Sequence, residues 1–222
     1  MSATNLYFFQ PRIGAKYTEG IKGVKTLILG ASFYCKSTDC KFFDICTVDS
    51  RPFDEICPDY ACNHLKLSDS ATIEVDSYLD IDGKYRSYGT FTQMMREALD
   101  DSRYQTSADI WEHVAFYNYV QHILPTTITP SFYDGYEDDF AALVQVIKQL
   151  QPQLIIVWGK PVRDALDTML NGHIQHLDDG YYQHMATIKG KQIKFLYLHH
   201  PSYRGLNDSW DEHIHHLKNS FV

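Results

Sequence analysis

Three short stretches carry residue types that can do chemistry where an apolar run ends. In "FLYLHHPSYRG", Phe195 to Gly205, the apolar run stops at two adjacent histidines, His199 and His200, and turns through Pro201 and Ser202. "LILGASFY" ends its run at Gly30 and continues through Ser32, Phe33 and Tyr34, and "VAFYNYVQ" carries Asn118. Together these types suit a planar polar ligand. An aromatic ring can stack on it, an amide can pair with both a donor and an acceptor, and an imidazole can meet an oxygen. Each residue also has a plain structural role open to it. Asn118 can be a turn former, and Phe33 and Tyr34 can be core. His199 and His200 can be one satisfied buried histidine and one exposed one.

For the three stretches to act together, the chain must bring them to one place. The run Val24 to Leu29 before Gly30 reads as a buried strand followed by a tight turn. From about residue 35 to 90 the periodicity fades, and the pattern predicts a long insertion with little regular structure. "FTQMMREALDD" predicts a short helix, and "IWEHVAFYNYVQ" a second strand ending near Asn118. Phe140, Leu143, Val144, Ile147 and Leu150 recur at helical spacing before Pro152 and the strand "LIIVWG". "KPVRDALDTML" is a helix with Pro161 in its first turn, where the missing N–H costs little. "YYQHMATIKGKQIKFLYLHH" reads as two strands joined at Gly190. "DSWDEHIHHLKNSF" reads as the closing helix, capped by Asp208 or Ser209, with His213 and His216 on a solvated polar face.

Strands alternating with helices predict a single domain over residues 1–222, a three-layer α/β/α arrangement with a central, mostly parallel sheet. In such a sheet the carboxyl ends of the strands line one edge, so the turns at Gly30, Asn118 and His200 would converge on one crevice.

Composition narrows the function classes. With 44% hydrophobic and 22% charged residues over 222 positions, the chain has a globular composition and enough length for one sizeable core. No window approaches a membrane span, and "MSATNLYFFQPR" lacks the basic start and apolar core of a signal peptide, so a cytoplasmic location is expected, with no membrane partner. A net charge of -8 counts against a strong general DNA binder unless the positive charge is gathered on one face. Walker, HExxH, GxSxG and GxGxxG motifs are all missing from the sequence.

The ordered set resembles the uracil-DNA glycosylase superfamily. "LILGASFY" sits where that superfamily has a strand followed by a Gly-led motif such as GQDPY or GExPG. "FYNYVQ" is similar to its strand ending in a base-reading Asn. "LQPQLIIVWGKPVRDAL" is similar to its helix, strand and turn, and "LHHPSYRG" carries the HPS motif. The match covers most of the chain outside the insertion at about 35–90.

The resemblance implies a glycosylase-like fold acting on DNA or on a nucleobase-like small molecule. By it, His200 would stabilise charge on the leaving base and Asn118 would read its edge. Phe33 or Tyr34 would wall the pocket beside Gly30, and Pro201 and Ser202 would shape the loop against the DNA backbone. The chain departs from the family at Ala31 and Ser32, where an Asp, Glu or Asn usually positions or activates water. A serine hydroxyl orients water but is a very poor base at neutral pH. Either another carboxylate such as Asp39 or Asp44 takes that role, or the site binds without cleaving. The two functional expectations are therefore a divergent DNA glycosylase and a non-catalytic module with a degenerate glycosylase pocket.

All five cysteines, Cys35, Cys40, Cys46, Cys57 and Cys62, fall within one 28-residue window. In a chain without an export signal, clustered thiols in a core-poor stretch suit a metal site better than disulfides. The intervening lengths of four, five, ten and four residues are not the CxxC pairs of a zinc ribbon. Zinc would need four thiolates, leaving one cysteine spare, or could take His64 instead. Some members of the resembling superfamily hold a four-iron, four-sulfur cluster, with cysteines distributed differently along the chain. Free thiols in a loosely packed loop remain the plain alternative.

Overall fold

The computed structural model describes residues 9–35, 67–80, 86–121, 123–125, 137–171, 173–177, 182–203 and 205–222. Along the chain the strands are β1 (Arg12–Ile13), β2 (Thr26–Gly30), β3 (Tyr34–Cys35), β4 (Val114–Asn118), β5 (Leu124–Pro125), β6 (Leu154–Trp158), β7 (Ile174–His176), β8 (Gln183–Ile188) and β9 (Lys191–Leu198). The helices are α1 (Ser70–Asp80), α2 (Arg86–Leu99), α3 (Ser107–Trp111), α4 (Glu137–Leu150), α5 (Lys160–Met169) and α6 (Trp210–Ser220).

Every residue of β2, β4 and β6 is buried, which is why they read as unbroken apolar runs: central parallel strands are covered on both faces. The main sheet has seven strands in the order β1-β4-β2-β6-β9-β8-β7, and β3 and β5 form a separate pair. Strands β4, β2, β6 and β9 run parallel, while β1, β8 and β7 are antiparallel to their neighbours. The sheet is therefore parallel through the four strands β4, β2, β6 and β9 and antiparallel at both margins. The antiparallel side follows from the turn at Lys189 and Gly190, both at left-handed φ (50° and 80°). That conformation closes a tight hairpin and needs no crossover helix.

On one face, Ile28, Phe116, Ile156, Trp158 and Leu196 pack with Val75 of α1, Phe91 of α2, Trp111 of α3 and Leu217 of α6. On the other, Leu29, Tyr117, Val157 and Phe195 pack with Leu143 and Val146 of α4 and Val162 and Leu166 of α5. These make the three expected layers. The insertion expected at 35–90 is corrected in its second half, because α1 lies within it and α2 begins within it. The buried positions of α1 include the β-branched Ile73 and Val75 and the aromatic Tyr78, unevenly spaced. Such a segment shows no clean helical period and is helical through its tertiary packing. Among the described residues no helix is long and apolar enough to cross a membrane.

Strand β2 pairs with β4 on one side and β6 on the other, so the order of strands along the chain reverses between β2 and β6. In an open α/β sheet that reversal opens a crevice beyond the strands' carboxyl ends. Gly30 ends β2 there, and Gly159 follows β6.

Candidate functional site

The candidate site is built on residues at the carboxyl ends of the central strands. Gly30 and Asn118 are partners in the register of β2 and β4, and both close their strands. A Cβ at Gly30 would lie 2.2 Å from Asn118 Oδ1 and 3.2 Å from the Phe116 ring. Glycine is therefore required here for the Asn118 amide to lie across the β2 backbone. Asn118 is only 3% exposed, yet no described residue hydrogen-bonds its side-chain amide. Beyond the strands, Tyr119 N–H donates to Gly30 O (3.0 Å) and Val120 N–H to Ala31 O (2.9 Å). These bonds hold the two loops side by side and fix where Asn118 stands. Gln121, itself buried, accepts from Phe9 N–H (3.1 Å) and donates to Asn118 O (2.8 Å).

An aromatic row leads from this amide towards the β9 loop. Trp158 lies with its ring centre 5.6 Å from that of Phe116 and 6.0 Å from that of His200. Its indole Nε1 is buried without a hydrogen-bond partner among the described residues. The β6 and β9 loops approach closely at Gly159 (φ 92°), where a Cβ would meet His200 Cβ at 3.4 Å, and Gly159 N–H donates to Leu198 O (2.8 Å).

The tautomer of His200 follows from its contacts. Ser202 N–H donates to His200 Nδ1 (3.2 Å), so that nitrogen carries no proton, and Ser202 Oγ, 2.8 Å away, donates to the same atom. The proton of the neutral ring is therefore on Nε2, where it can be donated to a ligand. Burial lowers the His200 pKa below the ordinary imidazole value, which keeps the ring in this neutral form.

Of the remaining expected site residues, Ser32 is buried and its hydroxyl donates to Phe33 O (3.1 Å). Phe33 packs edge-on against Phe9 (4.7 Å) and is core. Tyr34 is 41% exposed, where β3 pairs with β5. Cys35 ends β3, whereas Cys40, Cys46, Cys57 and Cys62 lie outside the described residues, with Asp39, Asp44 and His64. Among the described residues no group of three or more His, Cys, Asp or Glu side chains could hold a metal ion. Trp158 is the member that pattern reading passes over. Its signal is an aromatic N–H donor closing an otherwise aliphatic strand before a glycine.

A cavity of about 230 Å³ is lined by Gly159, Lys160, Arg163, Tyr182, Tyr197 and His199, among others, and not by Gly30, Asn118 or His200. Lys160 and Arg163 both pair with Asp164.

The closing helix corrects two expectations. His213 is fully buried rather than solvated, because α6 turns it under the end of β9, where its Nε2 accepts the His199 N–H (2.9 Å). Ser209 stands at the N-cap position but does not cap. Its hydroxyl donates to Leu206 O (3.3 Å) and lies 3.1 Å from His199 Nδ1.

Desolvation by burial, with the neighbouring His199 adding to it, lowers the His213 pKa from 6.5 to about 4. Between those values the unfolded chain binds a proton that the folded chain does not, so stability falls as pH falls through the window. The effect is about 3 kcal/mol for this residue. Urea unfolding at pH 6.5 and 4.5 should therefore show a smaller loss of stability in His213→Gln than in wild type. An equal loss in both would show that His213 is not the group responsible.

No protein-family model matches the chain, and no curated protein matches it.

Proposed function

We propose that the crevice binds a nucleobase extruded from DNA and that the chain hydrolyses its N-glycosidic bond, as the resemblance to the uracil-DNA glycosylase superfamily implies. The observation that carries this reading is the Asn118 amide, which is 3% exposed, lies across Gly30 at the carboxyl end of the sheet and takes no hydrogen bond from a described residue. An amide carries both a donor and an acceptor, and a base edge offering an acceptor and a donor pairs with both. Extrusion brings that edge into reach.

Cleavage breaks the bond between the sugar C1′ and the base nitrogen. The electron pair leaves with the base and accumulates on its carbonyl oxygen, while water adds to C1′ to leave a hydroxyl there and the proton it loses passes through solvent to the departing base nitrogen. His200, neutral and carrying its proton on Nε2, donates to that oxygen without needing to be charged. Ser32 is an orienting group for water at most, since its hydroxyl already bonds Phe33 O.

That last contact, with the net charge of -8, favours a second reading: a module that holds a nucleobase, nucleotide or similar ligand without cleaving it. Incubation at low salt with single- and double-stranded oligonucleotides carrying uracil separates the two. Free uracil and an abasic strand are the products of the glycosylase. Saturable uracil binding without release is the result of the module, and neither binding nor release would remove both readings.

A further inference from the structure

Far along the sheet from Asn118, strands β7 and β8 set two histidines directly opposite each other, His176 and His184. Leu177 N–H donates to Gln183 O (3.0 Å), which makes the histidines a non-hydrogen-bonded pair, the type whose side chains stand closest. His176 Nδ1 and His184 Nε2 are 3.1 Å apart. The ring centres are 4.3 Å apart at 75°.

A straight N–H···N bond of this length would hold the centres about 5.4 Å apart. Two imidazoles sharing one cation at 2.0–2.1 Å would hold them about 5.2 Å apart at a tetrahedral angle and about 4.5 Å apart at a right angle, the second nearer to what is found. The two nitrogens are thus inclined, not end to end.

An acidic side chain stands on the Nδ1 side of the His184 ring. Asp167 Oδ1 of α5 lies 3.8 Å from His184 Nδ1 and accepts from Tyr197 OH (3.3 Å). At 3.8 Å the carboxylate makes no hydrogen bond to Nδ1, but its charge favours a proton there and Nε2 as the lone-pair donor, and a small shift would close the carboxylate–imidazole contact that orients metal-bound histidines. Tyr197 packs edge-on against the His184 ring (4.8 Å), and His184 is fully buried, so the ring is held in place. His176 is exposed on the edge strand, which leaves the other coordination positions open to water.

The geometry points to a two-imidazole site for a borderline divalent cation such as zinc or nickel, formed by His176 and His184 and oriented by Asp167. Calcium and magnesium, which take oxygen ligands, do not fit it.

The test is histidine-ring NMR of the full chain during titration with zinc chloride and nickel chloride, with magnesium chloride as the control. Zinc and nickel are expected to perturb the rings of both His176 and His184 in one step, and magnesium neither. His176→Ala, at an exposed position, should abolish the perturbation at His184. Asp167→Asn should weaken binding roughly 10-fold or more. Metal bound by cysteines elsewhere would leave both rings unmoved. No perturbation at His184, or one that persists undiminished in His176→Ala, overturns the site.

Discussion

Replacing Asn118 with alanine is expected to lower uracil release, or uracil binding if the site does not cleave, by roughly 100-fold or more. It should do so while leaving thermal stability within about 1 kcal/mol. The two halves of the expectation have one cause. No described residue bonds the Asn118 amide, so truncating it strands no partner within the fold. Two hydrogen bonds to a base edge in a desolvated crevice are worth about 2–4 kcal/mol together, and it is these the ligand loses. A structural Asn118 would behave in the opposite way, with a large loss of stability and a loss of binding no larger than the unfolded fraction explains.

Gly30→Ala reaches the same end by another route. Its Cβ would fall 2.2 Å from Asn118 Oδ1 and 3.2 Å from the Phe116 ring. The amide has a rotatable bond and turns away, whereas the ring sits in the packed core. Recognition should fall as in Asn118→Ala, with an added cost of about 1–3 kcal/mol in stability from overpacking. Base-release assays beside denaturant unfolding read both quantities. Unchanged release in Gly30→Ala would show that the position of the amide does not matter.

The second large effect belongs to His200. Its alanine variant is expected to lower the rate constant for base release by about 100- to 1,000-fold and to change uracil binding far less. The Nε2 proton is positioned by what the other ring nitrogen accepts from Ser202, and charge on the leaving base exists only as the bond breaks. A donor that meets charge only in the transition state affects rate more than affinity. Single-turnover release and equilibrium binding separate the two. A loss in affinity equal to the loss in rate would make His200 a binding group. No loss in either would remove it from the site.

Much of this arrangement was legible in the sequence. Strands β2, β4 and β6 were visible because strands buried on both faces are unbroken apolar runs, β9 because its buried second half, Phe195 to Leu198, is one, and α4 and α5 because each covers only one face of the sheet. The convergence of Gly30, Asn118 and His200 on one edge followed from the parallel direction of those strands.

What escaped depended on partners distant in sequence. His213 and His215 look alike in "DEHIHHLK", and only the packing of α6 under β9 decides that His213 is buried and His215 exposed. Helix α1 lacks a period of its own and forms against α2 and the sheet. The pair of His176 and His184 needs a strand register that no local pattern specifies. Phe33 had been open to either role, and its contact with Phe9, many residues away in sequence, makes it core.

The most direct test of the account is single-turnover release of uracil from a single-stranded oligonucleotide at low salt, comparing wild type with Asn118→Ala and His200→Ala. The account predicts release by wild type and a loss of about 100-fold or more in each variant with folding intact. Release that both variants retain at the wild-type rate would contradict it, because the amide and the imidazole would then not be the groups that hold the base and take its charge.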